Sequence, residues 1–320
     1  MLNNEQHEKP VRYFITGGAG FIGSHLVDWL IHSGEVTVYD NLGSGRKEFI
    51  KHHFGKSNFH FIEADLLDFD TLKKATADHD IVFHLAANAD VKAGITNTNL
   101  DLQQGTQATH NLLEAMRLNQ ISKMVFSSSS TVYGEAGTKP AAEDHGPLLP
   151  ISLYGASKLA CEGLISAFCH LFGIQAWVFR FANVVGARAN HGVIFDFIGK
   201  LKQNPGELEI LGDGTQEKPY LYIDDCIDGI LFGFEHSQEQ VNVLNLGCDS
   251  STNVTAIGNM IVEAMDLYGV TFIYTGGDRG WRGDVPQVRF DIAKMQNLGW
   301  KSGYNSDEAV REAIKNILSR

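Results

Sequence analysis

The chain has 320 residues, 43% of them hydrophobic and 20% charged, with a formal net charge of −12 at pH 7. That is globular composition, enough for one large domain or two, and it excludes disorder, collagen and coiled coil. An acidic protein is poorly suited to holding nucleic acid or an anionic membrane by bulk charge, although a helix N-terminus can still bind a phosphate locally.

The first ten residues are polar and lack the apolar stretch of a signal peptide. The most apolar segment, 176–187, is broken by Arg180 and is too short to span a bilayer, so a soluble, cytoplasmic protein is expected. Cys161, Cys169, Cys226 and Cys248 form no CxxC pair and are read as buried thiols of a reducing compartment. No metal site is expected: there is no HExxH, and His52-His53 reads as a solvated surface pair.

In chain order, strand-length apolar runs fall at 11–16, 35–40, 58–65, 81–86, 123–129 and 175–182. Amphipathic segments separate them, such as 98–118, which places Leu102, Leu112, Leu113 and Met116 on its apolar side. Runs such as IVFHLA and KMVFSS are apolar throughout, as strands covered on both faces should be. The pattern predicts an α/β fold with a doubly wound parallel sheet of Rossmann type. Beyond residue 183 the rhythm loosens. A helix over 193–202, a strand over 208–211, a helix from about 224 and a buried strand over 241–247 are followed by the loop RGWRGDVPQ and a terminal helix over 306–318. The expected division is a dinucleotide-binding domain over 1–182, with strands from about 215–250 returning to it, and a smaller C-terminal α/β lobe over 183–320.

Directly after the first strand, glycines at 17, 20 and 23 form GxxGxxG. Gly17 suits the tight turn, Gly20 lets backbone approach a pyrophosphate, and Gly23 permits close helix packing; Phe21 and Ile22 lie on the amide-bearing first turn. The second strand ends at Asp40, twenty-three residues after Gly17, followed by Asn41. A carboxylate there accepts from both adenosine ribose hydroxyls and repels a 2′-phosphate, which favours NAD over NADP. Asp65, at the end of the third strand, is a second candidate, for the adenine edge.

Tyr154 and Lys158 lie four apart in YGASK on a helical stretch and share a face. Ser129 ends the fifth strand, at the sheet edge where such folds bind ligands. A phenol is a poor base at neutral pH. A neighbouring ammonium and a positive nicotinamide would both favour the phenolate, while Ser129 or Thr131 hydrogen-bonds the same substrate oxygen. His84, which ends a buried strand, reads as a core histidine. Asp224-Asp225 reads as an acidic helix start rather than a metal site.

The segments TGGAGFIGSH, VYDNLGSG, FHLAA, FSSSSTVYG, YGASK, FANVVGA, GDGTQEKPYLYIDD and RGWRGDVP are similar, in order and spacing, to extended short-chain dehydrogenase/reductases. The resemblance is closest to NAD-dependent nucleotide-sugar 4-epimerases of the UDP-glucose 4-epimerase type, and it covers nearly the whole chain. It implies NAD as cofactor, a UDP-sugar substrate and a homodimer formed through 98–118 and 154–172. It would make Tyr154 the base at the sugar 4-hydroxyl, Lys158 the group that binds the nicotinamide ribose, and Ser129 the proton shuttle. Leu66, Leu85, Ala86, Ala87 and Ser127 would join the cofactor contacts. Asn183 would contact the nucleotide-sugar phosphates, Lys218 would lie near the nucleotide, and Arg279 or Arg282 would meet the diphosphate. Gly105 stands where relatives place an asparagine, and Val288 where some carry a tyrosine that excludes N-acetylated sugars; valine predicts a pocket that accepts a larger C2 group. Dehydratases of this fold carry an acidic pair after the serine, and decarboxylases a glutamate nearby, whereas Ser130-Thr131-Val132-Tyr133 has no acid. UDP-glucuronate 4-epimerisation passes that comparison, with Arg188 as a partner for the carboxylate. A non-catalytic NAD-binding protein fits less well, because tyrosine, lysine and serine are all present.

Overall fold

All six apolar runs of the first half are bounded as the alternating pattern predicts, to within two residues, in a computed structural model that describes residues 9–137 and 139–319. Most of the polar opening segment lies outside the described residues. The strands are β1 (Val11–Thr16), β2 (Gly34–Asp40), β3 (Phe59–Glu63), β4 (Ile81–His84), β5 (Lys123–Ser129) and β6 (Gln175–Phe181). Together with a later strand, β11 (Val241–Leu246), they form a seven-stranded sheet in the order β11-β6-β5-β4-β1-β2-β3, with every pairing parallel. The return of 241–247 to the main sheet, expected from its apolar run, is observed beside β6.

Parallel pairing requires crossovers that cover both faces, and this explains the continuous apolar runs. One face packs Ile15, Val38, Phe83 and Phe179 against α1 (Phe21–Leu30) and α6 (Ile223–His236). The other packs Phe14, Val82, Phe126 and Val178 against α2 (Phe69–Thr76), α3 (Ala108–Leu118) and α4 (Leu153–Phe172). Strand order reverses between β1 and β4, and β1, β4 and β5 carry the Gly17 turn, His84 and Ser129 to one carboxyl edge.

The segment 98–118 departs from a plain amphipathic helix. A π-helical turn, Leu102–Gln107, precedes α3 and shifts the phase, so Leu112, Leu113 and Met116 are buried while Leu102 is 57% exposed. Gly105 sits in that turn because a Cβ there would stand 2.1 Å from Ser157 Oγ on α4, which leaves no room for an asparagine.

The C-terminal half adds β7 (Asn183–Val185), α5 (Val193–Gln203), β8 (Glu207–Ile210), β9 (Glu217–Lys218) and β10 (Tyr220–Tyr222). After β11 follow β12 (Thr252–Asn253), α7 (Val254–Ala264), β13 (Thr271–Tyr274), α8 (Ala293–Leu298) and α9 (Ser306–Leu318). Three two-stranded pairs, β10-β7, β12-β9 and β13-β8, make up its sheets. Its apolar side chains, among them Leu208, Ile257 and Ile314, belong to the same cluster as Ile15 and Val38, so one core runs through both halves. Asp224 and Asp225 lie in the first turn of α6 as expected, and Asp225 also accepts from the backbone of Gly303 and Tyr304. Among the described residues no helix is long and apolar enough to cross a membrane.

Candidate active site

At the end of β1 the chain turns through Gly17, whose φ of 71° suits glycine. A Cβ on Gly17 would lie 2.6 Å from the Ala86 backbone, and one on Gly23 would lie 2.1 Å from the Gly17 carbonyl. The turn is therefore closed by the backbone of Leu85 and Ala86 after β4, with the Leu85 N–H bonded to the Thr16 carbonyl and half-buried Ala87 following. Helix α1 begins at Phe21-Ile22-Gly23 with no side-chain cap and no acid in its first turn, leaving its first amides for an anion. At the end of β2, buried Asp40 accepts from Ala19 N–H (2.9 Å) and Leu42 N–H (2.8 Å). One bond to each oxygen leaves each a further lone pair for a ribose hydroxyl. Asn41 reaches from there to Asp65 (2.9 Å), whose other oxygen accepts from Leu67 N–H beside Leu66. The glycine cradle, free amides and paired acids fit a dinucleotide.

At the carboxyl edge of β5, the Ser129 hydroxyl lies beside the Tyr154 phenol and favours its phenolate, and Ser129 Oγ accepts from Thr131 Oγ1 at 3.0 Å. One turn along α4, buried Lys158 donates to the Ser127 carbonyl at 2.6 Å, with its ammonium 5.7 Å from the Tyr154 ring centre. Burial pulls Lys158 down to about 8. Tyr154 departs from the sequence expectation: burial, then the negative field of Asp101, push its phenol up, and the Ser129 hydroxyl offsets only part of this. The protein's own groups thus hold Tyr154 as a neutral phenol.

Facing this edge, β7 pairs with β10 so that Asn183 lies opposite Tyr220. Lys218 on β9 is paired with Asp284 at 2.5 Å. Partly buried Val288 is brought alongside by its N–H bond to the Glu217 carbonyl. The two arginines differ. Arg279 is bound by Glu135 (3.1 Å) and Asp278 (3.1 Å), whereas Arg282 is exposed and forms no salt bridge among the described residues. Arg188 is held through Nη2 by Asp28 of α1 at 2.6 Å, while its buried Nη1 has no hydrogen-bond partner among the described residues.

His84 is a satisfied core residue, bound to Thr16 and Thr109 and pulled down to about 3 by burial and then by Lys158. The four cysteines are free and buried. The reading of His52-His53 as a solvated pair is corrected: His53 is 3% exposed, and both rings bind Asp28. The donor atoms of Asp28, His52 and His53 lie within 4.8 Å of one another, but Arg188 occupies the same carboxylate and Lys56 Nζ sits 2.9 Å from His53 Nδ1, so cations already crowd the cluster. A groove of about 810 Å3 along β3, lined by Phe54, Phe61 and His79 among others, shares no residue with the catalytic edge. Sequence reasoning missed Asp101, Asn88 and the Glu162–Arg180 pair behind β5; a single acid at a helix start carries no signal that sets it apart.

A seven-stranded parallel sheet with a glycine cradle at its first turn and a Ser–Tyr–Lys group at its carboxyl edge defines a nucleotide-dependent enzyme of the extended short-chain dehydrogenase/reductase class. The NAD-dependent epimerase/dehydratase family matches residues 13–247, and the chain belongs to it. It is 34% identical to a putative UDP-glucose 4-epimerase of Methanocaldococcus jannaschii, over 94% of this chain and 96% of that protein. A UDP-N-acetyl-alpha-D-glucosaminuronate decarboxylase of Bacillus cytotoxicus is 30% identical over 91% and 95% of the two chains. Among solved structures, a UDP-galactose 4-epimerase is 37% identical with a TM-score of 0.86, covering 97% of this chain and 99% of its own. A UDP-N-acetylglucosamine 4-epimerase from Methanobrevibacter ruminantium, in complex with UDP-N-acetylmuramic acid, is 31% identical with the same TM-score, over 98% and 99%. The relatives thus span more than one reaction on more than one UDP-sugar.

Proposed function

We propose that this enzyme is a cytoplasmic UDP-sugar 4-epimerase, interconverting C4 epimers by transient oxidation at C4. The observation that carries the reading is the gathering of Ser129, Tyr154 and Lys158 at one sheet edge, with Lys158 fixed on the Ser127 carbonyl at 2.6 Å and its ammonium 5.7 Å from the Tyr154 ring centre. NAD, when bound, supplies a positive charge beside the phenol and a hydride acceptor at C4 that returns the hydride, so the cycle is redox-neutral. Tyr154 takes the 4-hydroxyl proton, and Ser129, steadied by Thr131, orients the same oxygen. Lys158, fixed by the Ser127 carbonyl, holds the nicotinamide ribose and favours the phenolate once the site is loaded. The 4-keto sugar then turns and is reduced from its other face, with Tyr154 giving the proton back.

The turn Ser130–Tyr133 carries no acid, which speaks against elimination and decarboxylation, and the nearest glutamate, Glu135, is tied to Arg279. Residues 1–182 serve the cofactor, while Asn183, Lys218 and Arg282 serve the nucleotide diphosphate. Val288 leaves room for an N-acetyl group at C2. A homodimer forms through α4, whose outer stripe of Leu153, Ala156, Ala160, Gly163, Ala167 and Leu171 is exposed and without charge. Tyr154→Phe tests the mechanism: turnover falls at least ~100-fold, as expected on loss of an acid–base group, while NAD binding is retained. Unchanged turnover would sink it.

A further inference from the structure

Asp101 lies in the first turn of the helical run that leads into α3, and it is 2% exposed. Its Oδ1 accepts from Asn88 Nδ2 at 3.0 Å, and its backbone carbonyl accepts from Ser157 Oγ at 2.7 Å, one residue before Lys158. Its Oδ2 is buried with no hydrogen-bond partner among the described residues. A Cβ on Gly94 would approach that oxygen to 3.0 Å, so the 3-10 turn Val91–Ile95 closes over the carboxylate. A buried carboxylate oxygen without a donor is costly and calls for a reason.

The surroundings supply one. Several titratable groups face the Tyr154–Lys158 pair. His84 on β4 is kept neutral by burial, and the Cys161 thiol on α4 is pushed up by burial. Glu162 on α4 is matched by Arg180 of β6. Asp101 forms no salt bridge among the described residues, and its negative field reaches both Tyr154 and Lys158. We propose that Asp101 is a positioning residue: it locks the loop after β4 onto the tyrosine helix and sets a fixed negative charge against the Tyr154–Lys158 pair. The proposal rests on the Tyr154–Lys158 reading above.

Asp101→Asn keeps the shape and the Asn88 acceptor but removes the charge. Without the anion the phenolate forms more readily and the ammonium is lost earlier. Both limbs of the kcat/KM pH profile should therefore move down by about one pH unit, with the optimum rate held within a few-fold. A purely structural role would instead lower the profile with its limbs in place; that result, or no change, overturns the proposal. Asn88→Ala, which loosens the loop but keeps the charge, should raise KM without moving the limbs; a limb shift equal to that of Asp101→Asn also overturns it. Titration of ring-labelled tyrosine by NMR on the NAD-loaded protein, with the Tyr154 signal assigned by its loss in Tyr154→Phe, reads the same shift without any sugar. A wild-type protein inactive on every UDP-sugar would sink the epimerase reading and still leave this titration to decide the role of Asp101.

Discussion

Replacing Arg180 with methionine removes the centre of a buried polar network behind the catalytic strand. The guanidinium donates to both Glu162 oxygens (3.1 and 2.8 Å), to Tyr133 Oη (2.9 Å) and to the Glu143 carbonyl (3.1 Å). The two charged side chains are only 5% and 9% exposed. Leaving a buried carboxylate without its cation costs ~3–5 kcal/mol. For a chain of 320 residues, about 1.5 °C of melting temperature follows each kcal/mol, so the loss should be about 4–8 °C. Activity should fall further than stability explains. Glu162 also accepts from Ser128 Oγ at 2.5 Å, and Ser128 lies between Ser127, which holds Lys158, and Ser129, which touches Tyr154. The assay is thermal and urea unfolding followed by circular dichroism, together with kcat at a temperature where the variant stays folded. Arg180→Met/Glu162→Met removes the stranded charge and should lose less stability than Arg180→Met alone. A single variant within about 1 kcal/mol of wild type, the normal scatter of tolerated substitutions, or a double variant worse than the single, would refute the reasoning.

Two further outcomes follow from the site. Arg282→Ala should raise KM for a UDP-sugar about tenfold, as loss of a charge-assisted contact does. Arg279→Ala, which breaks the contacts to Glu135 and Asp278, should change it less; the reverse ranking in steady-state kinetics would reassign the diphosphate contact. Lys158 carries a sign that unfolding can read. Its folded value, about 8, lies below the usual 10.5, so between these pH values the unfolded chain binds the extra proton and stability rises with pH. Lys158→Met should therefore be more stable than wild type at pH 7, with the gap closing towards pH 10 in denaturant titrations. A gap independent of pH contradicts that account.

Much of the fold was legible because a parallel sheet covered on both faces writes itself as uninterrupted apolar runs, as in 123–129, and because the glycines at 17, 20 and 23 sit where a strand meets a helix. The short strands 183–185, 217–218 and 220–222 were not legible, since two or three residues carry no period. Leu102 was assigned to the wrong side because a π-helical turn changes the phase without changing the composition. For the site, spacing located Tyr154, Lys158 and Ser129, but not the charge state of the phenol, which depends on burial and on Asp101, fifty-three residues earlier in the chain. The engagement of Lys218, Arg188 and Arg279 by acids likewise depends on partners that no local pattern reveals.

The most direct test is a product assay by NMR on purified enzyme with added NAD, offered UDP-glucose, UDP-galactose, UDP-N-acetylglucosamine and UDP-glucuronate in turn. The account predicts interconversion of C4 epimers with no net NADH, and turnover of the N-acetylated sugar as well as of UDP-glucose. Release of water or carbon dioxide, or no epimer from any of the four, would contradict it.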